Sequence, residues 1–253
     1  MLKPYWAVLL SSLIVLAAAA RAEDNVTIVQ ELTVSVRPGT EAQFEEFVKA
    51  YADVSRRQKL TNYWLSSQSM SGEPLYRFAM AHGSWGDFAN PGPQLAKVLG
   101  EKEATRLTGL ARDSIAWMRT AYFQQHSAMS RPMPAGDGPP EALLYIAFTL
   151  KPGAAAKFLE LSSKTAEASA ATVPNAYFVG ALPSFGAPGG RTILLFKHLS
   201  DLDTPLKPPQ QRVIEHFGQA EGERINALAG EAVQNIEITL FHTRPDLNYQ
   251  AGN

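Results

Sequence analysis

The stretch LTVSVRPGTEAQFEEF, Leu32–Phe47, returns as IAFTLKPGAAAKFLEL, Ile146–Leu161, and this repetition decides the fold. At a constant separation of 114 residues, Pro38-Gly39 falls on Pro152-Gly153, Phe44 on Phe158 and Glu46 on Glu160. The same separation carries Tyr63-Trp64 onto Tyr177-Phe178 and Gly72 onto Gly186. The match then continues at 116, with His82 on His198, Ser84 on Ser200 and Asp87 on Asp203. At 118, GEKEATRLTGLA from Gly100 meets GQAEGERINALA from Gly218. Matches in this order, with small shifts, mark an internal duplication.

Each copy reads β-α-β-β-α-β. In the first strand Ile28, Leu32, Val34 and Val36 fall on one face, and Val29, Glu31, Thr33 and Ser35 on the other, the period of two of a half-buried strand. Pro38-Gly39 turns the chain, and Thr40 with Gln43 predicts a capping box at the start of a helix. Phe44, Phe47, Val48 and Tyr51 then recur at the spacing of a core-facing helical stripe. Strand two carries the aromatic pairs, strand three reads LYRFAMAH or RTILLFKH, and the second helix is interrupted near Gly100 or Gly218. This is the ferredoxin-like order, with helices on one sheet face only. The exposed faces need cover, so the two sheets are expected to pack together as a single-chain pseudo-dimeric α+β barrel. The expected divisions are a leader over 1–22, a first repeat over 23–130, a linker over 131–140 and a second repeat over 141–253. The linker reading rests on SRPMPAGDGPPE, rich in Pro and Gly, which feeds neither a helix nor a sheet interior.

The signature of a strand followed by x-PG-x3-F-x2-F, present in both halves, resembles the dimeric α+β-barrel superfamily, which includes antibiotic-biosynthesis-monooxygenase-like and NIPSNAP-like proteins. The resemblance covers nearly the whole chain after the leader. It implies a fold more than a function, because members range from monooxygenases and isomerases to haem enzymes. It also implies ligands held between helices and sheet or in the barrel mouth.

The N-terminus reads MLKPYWAVLLSSLIVLAAAARAED: Lys3, an apolar run from Trp6 to Ala20, and Ala20-Arg21-Ala22 before Glu23. That is the layout of a secretory signal peptide cut after Ala22, so the mature chain is expected to be periplasmic or secreted. A retained anchor is the alternative, although the run is shorter than the roughly 20 residues of a bilayer span. Without residues 1–22, which hold Lys3 and Arg21 and no acid, the formal charge moves from −1 to about −3. Nucleic-acid binding, which needs a basic patch, is not expected. Cysteine is absent, which excludes disulfides, thiolate metal sites and cysteine catalysis. The NVT triplet at Asn25 abuts the cleavage site.

Three groups of residues are candidates for chemistry. Glu31, with Tyr145 as its counterpart at 114, lies on the inward strand face, where a carboxylate is costly unless paired; a solvated strand end is the other reading. His82 and His198 follow strand three, where imidazole could act as general base, although HGSWGD and HLSDLD equally suit plain turns. Tyr63, Trp64, Tyr145, Tyr177 and Phe178 are candidates to line a ligand cavity, one of each strand-two pair entering the helix-side core and the other facing the barrel or the surface. The family resemblance makes His216 a conceivable haem ligand, without a distal partner to support it. The five histidines (82, 126, 198, 216 and 242) show no metal-binding spacing, no GxSxG elbow occurs, and GAPGG lacks the Lys-Ser/Thr of a phosphate loop.

The expected function is binding of a small apolar or aromatic molecule in an aromatic-lined cavity. The alternative is a cofactor-independent monooxygenase- or isomerase-like enzyme that uses an inward His, Tyr or Glu. No cofactor is expected, haem being the one conceivable exception. The internal pseudo-dimer is expected to be a monomer or weak homo-oligomer without stable membrane insertion.

Overall fold

A computed structural model describes residues 27–61, 63–89, 92–134, 138–173, 175–185, 189–204 and 207–249. The expected leader, Asn25 and positions 135–137 of the expected linker lie outside the described residues. In the first half, β1 (Thr27–Val36) leads into α1 (Glu41–Arg57), followed by β2 (Leu65–Ser69), β3 (Leu75–His82), α2 (Leu95–Leu99), α3 (Glu101–Ser114) and β4 (Ile115–Gln125). The second half repeats this as β5 (Ala142–Leu150), α4 (Ala155–Thr172), β6 (Tyr177–Phe185), β7 (Arg191–Phe196), α5 (Pro209–Phe217), α6 (Gln219–Ala232) and β8 (Val233–Thr243). Gly100 and Gly218 divide the second helix of each half at φ of +84° and +83°, a conformation that a Cβ disfavours.

Each half is an antiparallel sheet, ordered β4-β1-β3-β2 and β8-β5-β7-β6. The two sheets join edge to edge, β2 with β8 and β4 with β6, and close an eight-stranded barrel. Each half therefore lends its last strand to the other half's second strand. Backbone bridges between Trp64 and Tyr249, and between Arg131 and Phe178, extend the exchange to the tail of each half. The joining ladders are short. Among the described residues, β4 pairs with β6 only from Tyr122 and β8 with β2 only from Phe241, so the upstream parts of β4 and β8 have one partner strand each.

The period-two alternation settles what faces where. Val34 and Val36 pack on the helix side with Phe44, Val48, Tyr76 and Phe78. Burial of each large apolar side chain there is worth roughly 1.5–3 kcal/mol. Phe47 and Tyr51 pack against the same cluster, completing the stripe. The opposite row of β1, with Glu31, Thr33 and Ser35, faces the barrel interior and is buried. The capping box does not form. Thr40 Oγ1 donates instead to the Arg37 carbonyl (2.7 Å), because the hydroxyl turns back into the Pro38-Gly39 turn and α1 starts without a side-chain cap.

The strand ladders correct the register of the duplication. His82 pairs with Ile28, and Phe196 pairs with Ala142, so the counterpart of His82 at 114 is Phe196 and not His198. The turn that follows agrees: Asp87 accepts from Ser84 N (3.0 Å) as Asp201 accepts from His198 N (2.9 Å). His198 is therefore equivalent to Ser84. The separation stays at 114 through this turn and reaches 118 by Gly100 and Gly218, so the insertion falls in the loop before the second helix.

Candidate functional site

Four side chains meet inside the barrel, one from each of β1, β3, β5 and β7. Glu31 is 7% exposed and Tyr145 3%. The Tyr145 hydroxyl donates to Glu31 Oε2 in a short hydrogen bond. Arg77 Nη1 lies 2.7 Å from Glu31 Oε1, with both side chains largely shielded from water. On the far side, Arg191 Nε donates to the Tyr145 hydroxyl at 2.7 Å. The result is a chain, Arg77–Glu31–Tyr145–Arg191, running across the interior.

Aromatic rings line this chain. The Arg77 guanidinium stacks 3.6 Å from the Tyr145 ring centroid and 4.9 Å from that of Phe241, while Arg191 lies 4.8 Å from Phe123. Such stacking desolvates the cations and holds them in place. Burial, reinforced by the Glu31 charge, pushes the Tyr145 phenol well above its ordinary range, so it stays protonated and serves as a donor. Solvent comes close at β8: Thr239, the β8 partner of Tyr145, is half-buried, and Glu237 two residues before it is exposed.

Two of the residues picked from the sequence, Glu31 and Tyr145, are thus brought together. Arg77 and Arg191 were missed, although both lie on the inward row of strand three and are separated by 114. The other candidates lie elsewhere. His82 is buried on the outer, helix-facing side of β3, its ring 4.1 Å from that of Phe88 and its Nε2 without a hydrogen-bond partner. Burial lowers its pKa from the ordinary 6.5. His198 is exposed, with Nδ1 3.2 Å from Glu141 Oε1.

Among the aromatic pairs, Trp64 and Phe178 enter the helix-side core. Trp64 sits between Tyr51 and Tyr249 and donates from Nε1 to the Leu247 carbonyl at 2.8 Å. Phe178 is buried and floors an open cleft of about 370 Å³ between α4 and the segment around Ser130. Tyr63 is exposed, and Tyr177 lies under the Arg131 guanidinium at 5.8 Å.

His216, the conceivable haem ligand, stands on α5 with its Nε2 3.5 Å from Glu167 Oε1 and its ring centroid 4.5 Å from that of Phe217. Among the described residues, no three His, Asp or Glu side chains are grouped to hold a metal ion. Nor is any described helix long and apolar enough to cross a membrane.

No protein-family profile matches this sequence, and no curated protein matches it significantly. Solved structures do match in shape. An anthrone oxidase-like protein superposes with a TM-score of 0.58 at 14% identity, over 92% of this chain and 96% of its own. A monooxygenase-like protein from Fusobacterium nucleatum gives 0.55 at 9% identity, over 86% and 92%. Another from Lactobacillus acidophilus gives 0.52 at 8% identity, over 90% and 98%. The chain shares its fold with these structures, an α+β barrel closed here within one chain.

Proposed function

We propose that this is an exported protein whose barrel interior binds a small aromatic or apolar molecule beside Tyr145 and Glu31. One observation carries the reading: four hydrogen-bonding side chains from four strands converge in an aromatic-walled interior. A packed apolar core of the same volume would hold the barrel together at least as well, since buried ion pairs contribute little net stability. Convergent polar groups in an apolar setting are the usual makings of a ligand site. The exposed Glu237, two residues before the Tyr145 partner Thr239 on β8, supports entry from that side.

A second reading, proton transfer as in a cofactor-independent monooxygenase or isomerase, is favoured by the direct contact between phenol and carboxylate. Tyr145 would pass its proton to Glu31 as its oxygen takes one from the bound molecule, with Arg191 steadying the transient phenolate charge. The names of the anthrone oxidase-like and monooxygenase-like proteins of this fold agree with such chemistry.

The test is a panel of small aromatic molecules screened by thermal shift, with native mass spectrometry of the purified protein. Binding to the wild type should weaken at least tenfold in Tyr145→Phe. Equal binding to both would move the site out of the barrel. Export is proposed from the pattern of residues 1–22. N-terminal sequencing of the protein from its native cell should begin at Glu23, and a blocked or intact Met1 would overturn it.

A further inference from the structure

The interior chain is symmetric about a pseudo-twofold axis except for one atom group. Glu31 and Tyr145 are equivalent at a separation of 114, and so are Arg77 and Arg191, which pair with the equivalent residues Thr33 and Ala147. Equivalent residues that touch must sit at the axis relating the halves, as Glu31 and Tyr145 do. In the first half the strand-three arginine has its carboxylate: Arg77 Nη1 to Glu31 Oε1 at 2.7 Å. In the second half a phenol stands where the carboxylate would be.

Arg191 is consequently a buried cation without an acid. It is 5% exposed, and its hydrogen bonds go to the Tyr145 hydroxyl (2.7 Å) and the Gly190 carbonyl (3.2 Å), both neutral. Glu237, on the inward row of β8, is exposed and not paired with it. Among the described interior residues two guanidiniums share one carboxylate, and an uncompensated buried charge is expensive. A planar guanidinium binds a carboxylate with charge-assisted, often bidentate hydrogen bonds.

We infer that the molecule bound in the barrel carries a carboxylate, which occupies the place at Arg191 that Glu31 fills at Arg77. The inference rests on the barrel interior being the binding site and adds the class of ligand: a small aromatic or apolar acid, its ring against Phe123, Tyr145 or Phe241 and its carboxylate on Arg191. One half has the internal ion pair, and the other has tyrosine in the place of the acid.

The experiment compares benzoate with its neutral isostere benzamide, by calorimetry and thermal shift at matched ionic strength, on the wild type, Arg191→Gln and Tyr145→Glu. Benzoate should bind the wild type saturably and at least tenfold more tightly than benzamide. It should lose at least tenfold in Arg191→Gln. In Tyr145→Glu, which gives Arg191 an internal acid, benzoate binding should also be lost; this variant keeps the test decisive if Arg191→Gln does not fold. Retained benzoate affinity in either folded variant overturns the inference. So does benzamide binding as well as benzoate; if that binding still weakens in Tyr145→Phe, the barrel site stands and only the ligand class falls. If neither compound binds the wild type, the inference falls for this class of acid.

Discussion

Tyr145 occupies the position in the second half that Glu31 occupies in the first, and the two side chains hydrogen-bond to each other across the barrel. Had both been glutamate, two carboxylates would meet at the axis and repel each other, each held only by its own arginine. The phenol removes the repulsion and supplies a donor. Each partner should therefore depend on the other. Tyr145→Phe leaves Glu31 Oε2 and Arg191 Nε short of a bond and should cost about 1–3 kcal/mol. Glu31→Gln leaves two buried guanidiniums without a carboxylate and should cost more, on the order of 3–5 kcal/mol. The double variant should be less destabilised than the sum, by about 0.5–3 kcal/mol. Urea denaturation of the four proteins checks this, and strict additivity would mean that the contact contributes nothing.

His82 should be a source of acid sensitivity. Its imidazole is buried and Nε2 lacks a partner, so the folded protein favours the neutral form and the pKa falls, the nearby Asp87 charge opposing only in part. The unfolded chain then binds more protons at acid pH, so the stability contributed by neutral His82 is complete above the ordinary 6.5 and declines as pH falls below it. His242 is shifted the same way, chiefly by burial, and adds to the slope. The second half already uses phenylalanine at the equivalent position, Phe196. His82→Phe should therefore fold, gain about 1 kcal/mol at pH 7 by removing the orphaned nitrogen, and gain more at pH 5. Thermal melts at the two pH values measure it; an equal change at both would show that His82 does not titrate on unfolding.

The fold was legible because its determinants are local and repeated. The Pro-Gly turn, the alternation of β1 and the Phe44/Phe158 stripe each state a period, and two copies at one separation state it twice. The edge-to-edge closure was not legible: β2, LSSQS, carries no apolar pattern that names β8 as its neighbour. The histidine register misled because HGSWGD and HLSDLD share letters, whereas the true equivalence is set by ladder pairing with Ile28 and Ala142. Arg77 and Arg191 were within reach. Tyr76, Phe78 and Met80 mark the helix-facing row of β3, which leaves Arg77 on the row facing the barrel. An arginine in a strand reads as solvent-facing unless the sheet is known to close.

Glycines should answer differently by position. At Gly180 a Cβ would lie 2.5 Å from both the Cβ and the carbonyl oxygen of Met129. The approach is close because Ser130 Oγ accepts from Gly180 N at 3.0 Å, whereas at the first-half position Ser66 bonds the longer Asn248 side chain. Gly180→Ala should cost about 1–3 kcal/mol through overpacking. Gly109, inside α3 with nothing near its missing Cβ, should gain about 0.5–1 kcal/mol as alanine. Chemical denaturation of the two variants should move in opposite directions.

Arg244 ties the second half of the chain to the first. Arg244, just after β8, grips Glu45 on α1 with both terminal nitrogens (2.6 and 2.7 Å) and also holds Asp246. Glu45 in addition accepts from the buried Tyr76 hydroxyl at 2.8 Å, so the second half's tail is fastened to the first half's core. The Arg244 hydrogen bonds hold the Glu45 carboxyl below its ordinary 4.5 and take Asp246 down to about 2. Both folded values lie below the unfolded ones, so the stability from these pairs is fully present above pH 4.5 and is lost as pH falls toward about 2. Arg244→Ala should cost about 2–3 kcal/mol at pH 7, because the largely shielded Glu45 loses a bidentate, charge-assisted partner. At pH 2 to 3 the same substitution should cost much less. Denaturation curves at both pH values decide it, and an undiminished penalty at low pH would mean that Arg244 acts through packing of its aliphatic stem instead of its charge.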